Sequence, residues 1–334
     1  MRNFLLIFIT LMVISACQKA DNQEKNLGEN QVKPAAVTRS VRVRFTPQWT
    51  HQAQFAGFIV AKAKGFYKNY GLDVVILPGG ADNPSATALK NGTADFASLF
   101  LITALREYSA GNRLVNIGQI SQRSALMLIG KSGKGISDIP SLNDKKIGLW
   151  RSDFQDLSLI LFKIHKIKPL IVPIDNSIST FISGAVDVVN AMNYNEYHQL
   201  VQSGFDPQDL WTYSFAEGDL NIPEDGIYVR EEFYRQNPDV CRDFADATMQ
   251  GWLYAINHHE EALTMVMNAM RDAHLPVNRP HQSWMLNRMK DIILAKPHSM
   301  GKLSEEDFEQ AVKLMYEHNM IANQISYGDF CPHD

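Results

Sequence analysis

Cysteine is scarce: the 334-residue chain has three, Cys17, Cys241 and Cys331, and no CxxC pair. That excludes a zinc ribbon. Cys241 and Cys331 are far enough apart to allow one bridge in an oxidising compartment, although a helix-start cysteine and a tail cysteine read better as two thiols. An excess of one charge is also missing. Lys and Arg total 32 against 36 Asp and Glu, a formal net charge of −4 with no basic block, which argues against nucleic acid as a partner. No hydrophobic run after the first is long enough to span a bilayer. The pair of histidines at i and i+4 that would hold a metal on a helix is absent. His258-His259-Glu260-Glu261 points its two imidazoles in different directions and reads as a solvated face. Met265, Met267 and Met270 read as core filling, and no fixed-period repeat is present.

The first residues read as an export signal. Arg2 supplies positive charge, and residues 4–14 form an apolar run broken by Thr10 and short for a membrane span. Ile14-Ser15-Ala16-Cys17 resembles a bacterial lipobox. The signal is then 1–16, Cys17 is the lipidated first residue, and the polar tract 17–40 is a flexible tether to the membrane. An ordinary signal peptide cut at Ala16 is the alternative. Either reading places the mature chain outside the cytosol, and the lipobox reading anchors it to the cell envelope, on the periplasmic face or the outer membrane.

From Val41 onward strand-like and helix-like segments take turns, which predicts an α/β fold with mainly parallel strands. Val41-Arg42-Val43-Arg44-Phe45 alternates as a strand, and Pro47 breaks it for want of an N–H. Phe55, Phe58, Ile59 and Phe66 mark a helix face, and residues 72–77 resume strand. Gly79 and Gly80 permit a tight turn near a ligand, with Ser85 as N-cap of the helix that follows. Residues 94–98 and 114–120 read as strands. The apolar run 125–130 reads as a buried strand that crosses into a second lobe, and 227–230 as the return. Lobe I is then 41–124 plus 228–334, and lobe II is 125–227. The chain after 230 is helical, with Ser304 capping a late helix.

Two α/β lobes joined by two crossings resemble a type II periplasmic binding protein. Such proteins have two mixed, mainly parallel sheets that close on a ligand by hinge motion. The stretch QWTHQAQFAGFIVAKAKGFYKNYGLDVVILPGG resembles proteins that bind, or in fungi make, the aminopyrimidine precursor of thiamin. These share their fold with the sulfonate- and nitrate-binding proteins of ABC importers. The likeness continues through LKNGTADFA, LNDKKIGLW and GAVDVV, covering 41 to about 240. It implies a substrate-binding component that works as a monomer, takes a small molecule and passes it to a membrane permease. Enzymes of the group carry a lysine and a histidine just after the strand matching 94–97. Here that segment reads Ser98-Leu99-Phe100-Leu101-Ile102-Thr103. The enzyme reading, a pyridoxal-phosphate-dependent synthase, lacks its Schiff-base amine, so no cofactor and no enzyme activity are expected.

Candidate ligand residues gather at predicted strand ends. Trp49 offers an aromatic plane for a flat heterocycle, and Gln48, His51 and Gln52 offer hydrogen bonds around it. Asn83 stands at the next strand end. Trp150, Arg151 and Ser152 open a helix, a place that suits an anion. Asn193, Tyr194 and Glu196 follow another strand, and the resemblance implies a glutamate here that grips the aminopyrimidine edge. Asp225 sits at the return crossing and is either a ligand contact or a solvated loop acid. A sulfonate, nitrate or aromatic acid is the alternative ligand, with Arg123 and Arg151 as its cations. A sensory module reporting to a receptor kinase is the alternative to transport.

Overall fold

A computed structural model describes residues 40–332 apart from 176, with the side chains of Ser152 and Asp153 also excepted. Cys17, the signal at 1–16 and the tether up to residue 39 lie outside the described residues. No helix among the described residues is long and apolar enough to cross a membrane.

The ten strands of the described residues are β1 (Val41–Thr46), β2 (Leu72–Ile76), β3 (Phe96–Phe100), β4 (Leu114–Gln119), β5 (Leu126–Lys131), β6 (Lys146–Trp150), β7 (Leu170–Ile174), β8 (Val188–Met192), β9 (Leu210–Ser214) and β10 (Asp225–Arg230). They form two sheets, ordered β2-β1-β3-β10-β4 and β7-β6-β8-β5-β9. In each sheet one strand runs against its neighbours, β10 in the first and β5 in the second. Each of these is the strand on which the chain enters that sheet from the other. The remaining four strands of each sheet run the same way, so their C-terminal ends share an edge, and helical segments follow all of them there except β4, which leads into β5.

β1 alternates in its middle only. Val43 and Phe45 are buried while Val41 and Arg42 are exposed. Phe45 stacks on Phe58 of the helix Ala56–Ala63, with ring centroids 4.2 Å apart. Phe244, from the helix Pro238–Asn257, stacks on Phe96 of β3 at 4.0 Å and on Tyr67 at 5.1 Å. Truncating one such buried ring costs about 3–5 kcal/mol. The two helices cross closely because both present glycine. A Cβ on Gly251 would stand 2.0 Å from the Gly57 carbonyl, and one on Gly57 would stand 2.3 Å from the Trp252 ring. Met267 and Met270 are buried in the same core. Cys241 and Cys331 are both buried thiols.

Three elements depart from the sequence reading. β3 begins at Phe96, two residues later than the sequence reading, and Asp95 before it ties to Arg44 of β1, its N–H donating to the Arg44 carbonyl at 2.9 Å. Its carboxylate accepts from the Arg44 backbone N–H at 2.9 Å and from both ends of the Arg44 guanidinium. Ser85 is the first residue of its helix rather than the cap. Its hydroxyl is buried and donates to the Ser98 carbonyl at 3.0 Å, tying that helix to β3. β10 begins at Asp225, so the return to the first sheet comes earlier than 227. Ser304 caps as expected, accepting from Asp307 N–H at 3.2 Å.

The two crossings run side by side. Glu224, on the return, accepts from Ser124 Oγ at 2.5 Å and from the Ala125 N–H at 2.8 Å, and Asn221 Oδ1 accepts from the Ser124 N–H at 2.8 Å. Asp225 O accepts from the N–H groups of Ile120 and Ser121. One carboxylate therefore staples both connections between the sheets.

Candidate functional site

A cleft of about 590 Å³ lies where the C-terminal ends of strands from both sheets meet, within the size range of small-molecule sites. The first sheet contributes Gln48, Trp49 and Gln52 from the loop after β1, and Leu99 and Phe100 from the end of β3. Strand ends of the second sheet contribute Trp150 and Arg151 after β6, and Tyr194 and Glu196 after β8. Phe154 packs edge-on against both Phe100, at 4.9 Å, and Trp150, at 5.9 Å. The apolar wall is thus an aromatic cluster drawn from both sheets.

The loop 48–54 is held from behind. Gln48 N–H donates to Ser98 Oγ at 2.9 Å, and Ala53 N–H donates to Gln282 Oε1 at 2.7 Å. Gly79 makes room for it: a Cβ there would stand 2.0 Å from the Pro47 carbonyl. Below the loop, Gln48 Nε2 donates to Asp225 Oδ1 at 2.6 Å and Gln54 Nε2 to Asp225 Oδ2 at 2.9 Å. Burial pushes the Asp225 carboxyl up to about 6, against the pull of those amides.

Glu196 begins the helix Glu196–Gln202 and turns back on its own N-terminus. Its carboxylate accepts from the Met192 N–H at 2.9 Å and from Asn195 Nδ2 at 2.5 Å. Burial pushes it up to about 7, opposed by these donors. Its own backbone N–H is a further donor to the carboxylate, which leaves acceptor capacity for a ligand. Arg151 stands 3.6 Å from Asp175, and both side chains are exposed.

Seven of the sequence candidates line the cleft together: Gln48, Trp49, Gln52, Trp150, Arg151, Tyr194 and Glu196. Asp225 is not on the lining but directly behind it, holding two of the glutamines. His51, Asn83 and Asn193 are off the lining too. Asn83 is exposed in the turn after Gly80, and the Asn193 carbonyl accepts from Trp284 Nε1 at 3.0 Å. The Ser152 side chain lies outside the described residues. Arg123 does not reach the cleft. Sequence reasoning missed Glu107, Asp175 and Phe154. Asp175 directly follows β7 and carried the strand-end signal; Glu107, inside the helix Leu101–Ser109, carried none.

The segment 98–103 contributes Leu99, Phe100 and Thr103 to the lining, and no lysine, histidine or cysteine stands among the described lining residues. No cluster of three or more histidine, cysteine or acidic residues that would hold a metal is present among the described residues. His258 stacks on Tyr254 and His259 bonds Ser283, so the two adjacent imidazoles do diverge.

A family model described as NMT1/THI5 like matches residues 52–262. The chain is 25% identical over 299 residues to YtlA of Bacillus subtilis, 84% of each chain, which carries a provisional binding-protein name that states no ligand. It is 24% identical over 251 residues to RibY of Chloroflexus aurantiacus, a riboflavin-binding protein, covering 72% of this chain and 70% of RibY. Its fold is similar to that of the periplasmic aliphatic sulphonate-binding protein SsuA of Escherichia coli. The TM-score is 0.67 at 16% identity, over 87% of this chain and 97% of SsuA.

Proposed function

The chain belongs to the NMT1/THI5-like family, and from that premise we propose that it is the substrate-binding component of an ABC importer for a small, flat nitrogen heterocycle. A thiamin-related aminopyrimidine is the first candidate. The observation that carries this reading is the make-up of the cleft. Its aromatic residues are Trp49, Phe100, Trp150, Phe154 and Tyr194, and its carboxylates are Glu107, Asp175 and Glu196. Flat rings stack on such walls, each good pair being worth about 1 kcal/mol beyond area burial. Carboxylates accept from amino and ring N–H groups. Riboflavin, which gives RibY its name, is also a flat nitrogen heterocycle.

An anion fits this cleft poorly. Arg151 is the one cationic side chain among the described lining residues, and Asp175 already stands beside it. Glu107 and Asp175, joined by Glu196 above about pH 7, would repel a sulfonate or nitrate. Turnover is disfavoured as well, since no amine suited to a Schiff base stands among the described lining residues. The protein would act by trapping the ligand between two lobes, 41–124 plus 228–334 and 125–227, and handing it to a permease. Cys17 would anchor it to the envelope.

Calorimetry of the chain with formylaminopyrimidine, hydroxymethylpyrimidine, thiamin, riboflavin, an alkanesulfonate and nitrate tests the reading. Heat is expected from at least one heterocycle and none from the anions. Binding of the sulfonate alone would overturn the ligand class and leave the importer role standing.

A further inference from the structure

Asp225 sits behind the cleft wall as the first residue of β10, 3% exposed. Both of its oxygens are occupied by amide nitrogens, Gln48 Nε2 at 2.6 Å and Gln54 Nε2 at 2.9 Å. Gln54 Oε1 in turn accepts from Gln52 Nε2 at 2.7 Å. A carboxylate can only accept, so it obliges the two amides it touches to turn their nitrogens inward. The relay through Gln54 sets Gln52 in the same sense, one residue further out. Gln54 lines the cleft with its oxygen already taken by Gln52, and Gln48 and Gln52 line it as well. With their nitrogens drawn inward, each leads with its carbonyl oxygen towards a ligand.

We infer that Asp225 is a positioning residue that polarises the Gln48 and Gln52 amides, so that the cleft selects ligands whose edges carry N–H donors. The inference rests on the heterocycle-binding reading and names the edge chemistry its ligand must have: amino or ring N–H groups in place of oxo, sulfonate or carboxylate. Each amide nitrogen keeps a second hydrogen, so the selection comes from the balance around the cleft. The lining sets two amide oxygens and the carboxylates of Glu107, Asp175 and Glu196 against the Arg151 guanidinium beside Asp175, with the hydroxyls of Thr87, Thr103 and Tyr194 able to donate or accept. The carboxylate that sets this balance also begins the strand returning from the second sheet, and its own carbonyl accepts from Ile120 and Ser121 on the outgoing crossing. The amide orientation is therefore built into the connection between the sheets, and a mobile loop does not set it.

The test is calorimetry of the full chain with a matched pair, 4-amino-5-hydroxymethyl-2-methylpyrimidine and its counterpart with methoxy in place of amino. The proteins are wild type, Asp225→Asn and Gln48→Met. Wild type is expected to favour the amino member by about tenfold or more, because the methoxy member carries no N–H on that edge and sets acceptor against acceptor. Asp225→Asn lets an amide reverse, and the preference is expected to fall to within about twofold of unity or to invert. Gln48→Met removes one acceptor at the wall and leaves the crossing intact. It is expected to weaken the amino member about tenfold and change the methoxy member by less than about twofold. A preference unchanged in Asp225→Asn, or equal affinities in wild type, overturns the inference and leaves heterocycle binding standing. Failure of wild type to bind either member overturns the inference, and overturns the heterocycle reading too when formylaminopyrimidine, thiamin and riboflavin also give no heat. If Asp225→Asn does not unfold cooperatively, Gln48→Met decides alone, and equal weakening of both members sinks the inference.

Discussion

His198 and His281 face each other Nδ1 to Nδ1 at 2.9 Å, joining the helix Glu196–Gln202 to the helix Arg279–Ile293. His281 Nε2 lies 2.9 Å from Asn195 Oδ1, and Asn195 Nδ2 donates to Glu196. Asn195 Oδ1 is then an acceptor, so His281 carries its proton on Nε2 and its Nδ1 accepts from His198. One line of hydrogen bonds thus runs from a cleft carboxylate to the outer end of the junction. Trp284 stacks on His198 at 4.7 Å and Arg288 lies over Trp284, so a further positive charge here meets one already present.

That pair makes the junction acid-sensitive. Burial, helped by His198, pushes His281 from 6.5 down to about 4, and burial lowers His198 too. A histidine lowered in the folded state contributes stability above its unfolded value, and that stability is lost as pH falls towards the folded one. Wild type should lose thermal stability between pH 6.5 and about 4, and His281→Leu should flatten that part of the profile. Thermal unfolding at half-unit pH intervals reads it, and parallel profiles would refute the assignment.

Glu224 predicts the opposite slope at higher pH. Burial raises its carboxyl to about 8, against the donors Ser124, Ala125 and Leu126. A carboxyl raised in the folded state contributes stability at low pH that is lost as pH rises through the folded value. The stability difference between wild type and Glu224→Gln should therefore be larger at pH 6 than at pH 9. A difference that stays constant between those two pH values would show that this carboxyl does not titrate there.

Trp49 tests the aromatic wall. It lines the cleft and is half-buried. Trp49→Ala should weaken a bound heterocycle by about tenfold or more through lost stacking, with little change in melting temperature. Full affinity in the variant, measured by calorimetry, would mean that the ligand stacks elsewhere.

Gly251 tests the scaffold. Any side chain there meets the Gly57 carbonyl, 2.0 Å from the Cβ position, and Ala61 beside it. Gly251→Ala should destabilise by about 1–3 kcal/mol in denaturant unfolding. Ligand preference below the transition should be unchanged, because the crossing lies away from the cleft lining. A shift in preference with unchanged stability would place this crossing in the ligand response.

The sequence by itself determined the strand–helix alternation, the two crossings and the strand-end placement of Trp49, Trp150 and Glu196. These are legible because period-2 and period-3.6 patterns and glycine and proline breaks are local properties of a chain. It misjudged where β3 ends, because FASLFLITAL is apolar but for Ser98 and Thr103 and periodicity cannot divide it between strand and helix. Only the tertiary structure decided that Asp225 stands behind the wall and holds Gln48, 177 positions away in the chain. The same is true of Glu107 entering the cleft from a helix face and of His198 meeting His281. Those relations depend on which side of an element turns towards which neighbour, and sheet order and helix packing fix that after the local patterns are satisfied. The loop 48–52 therefore holds the candidate ligand residues that the sequence singles out first, while the chemistry it presents is set by a carboxylate on the return strand.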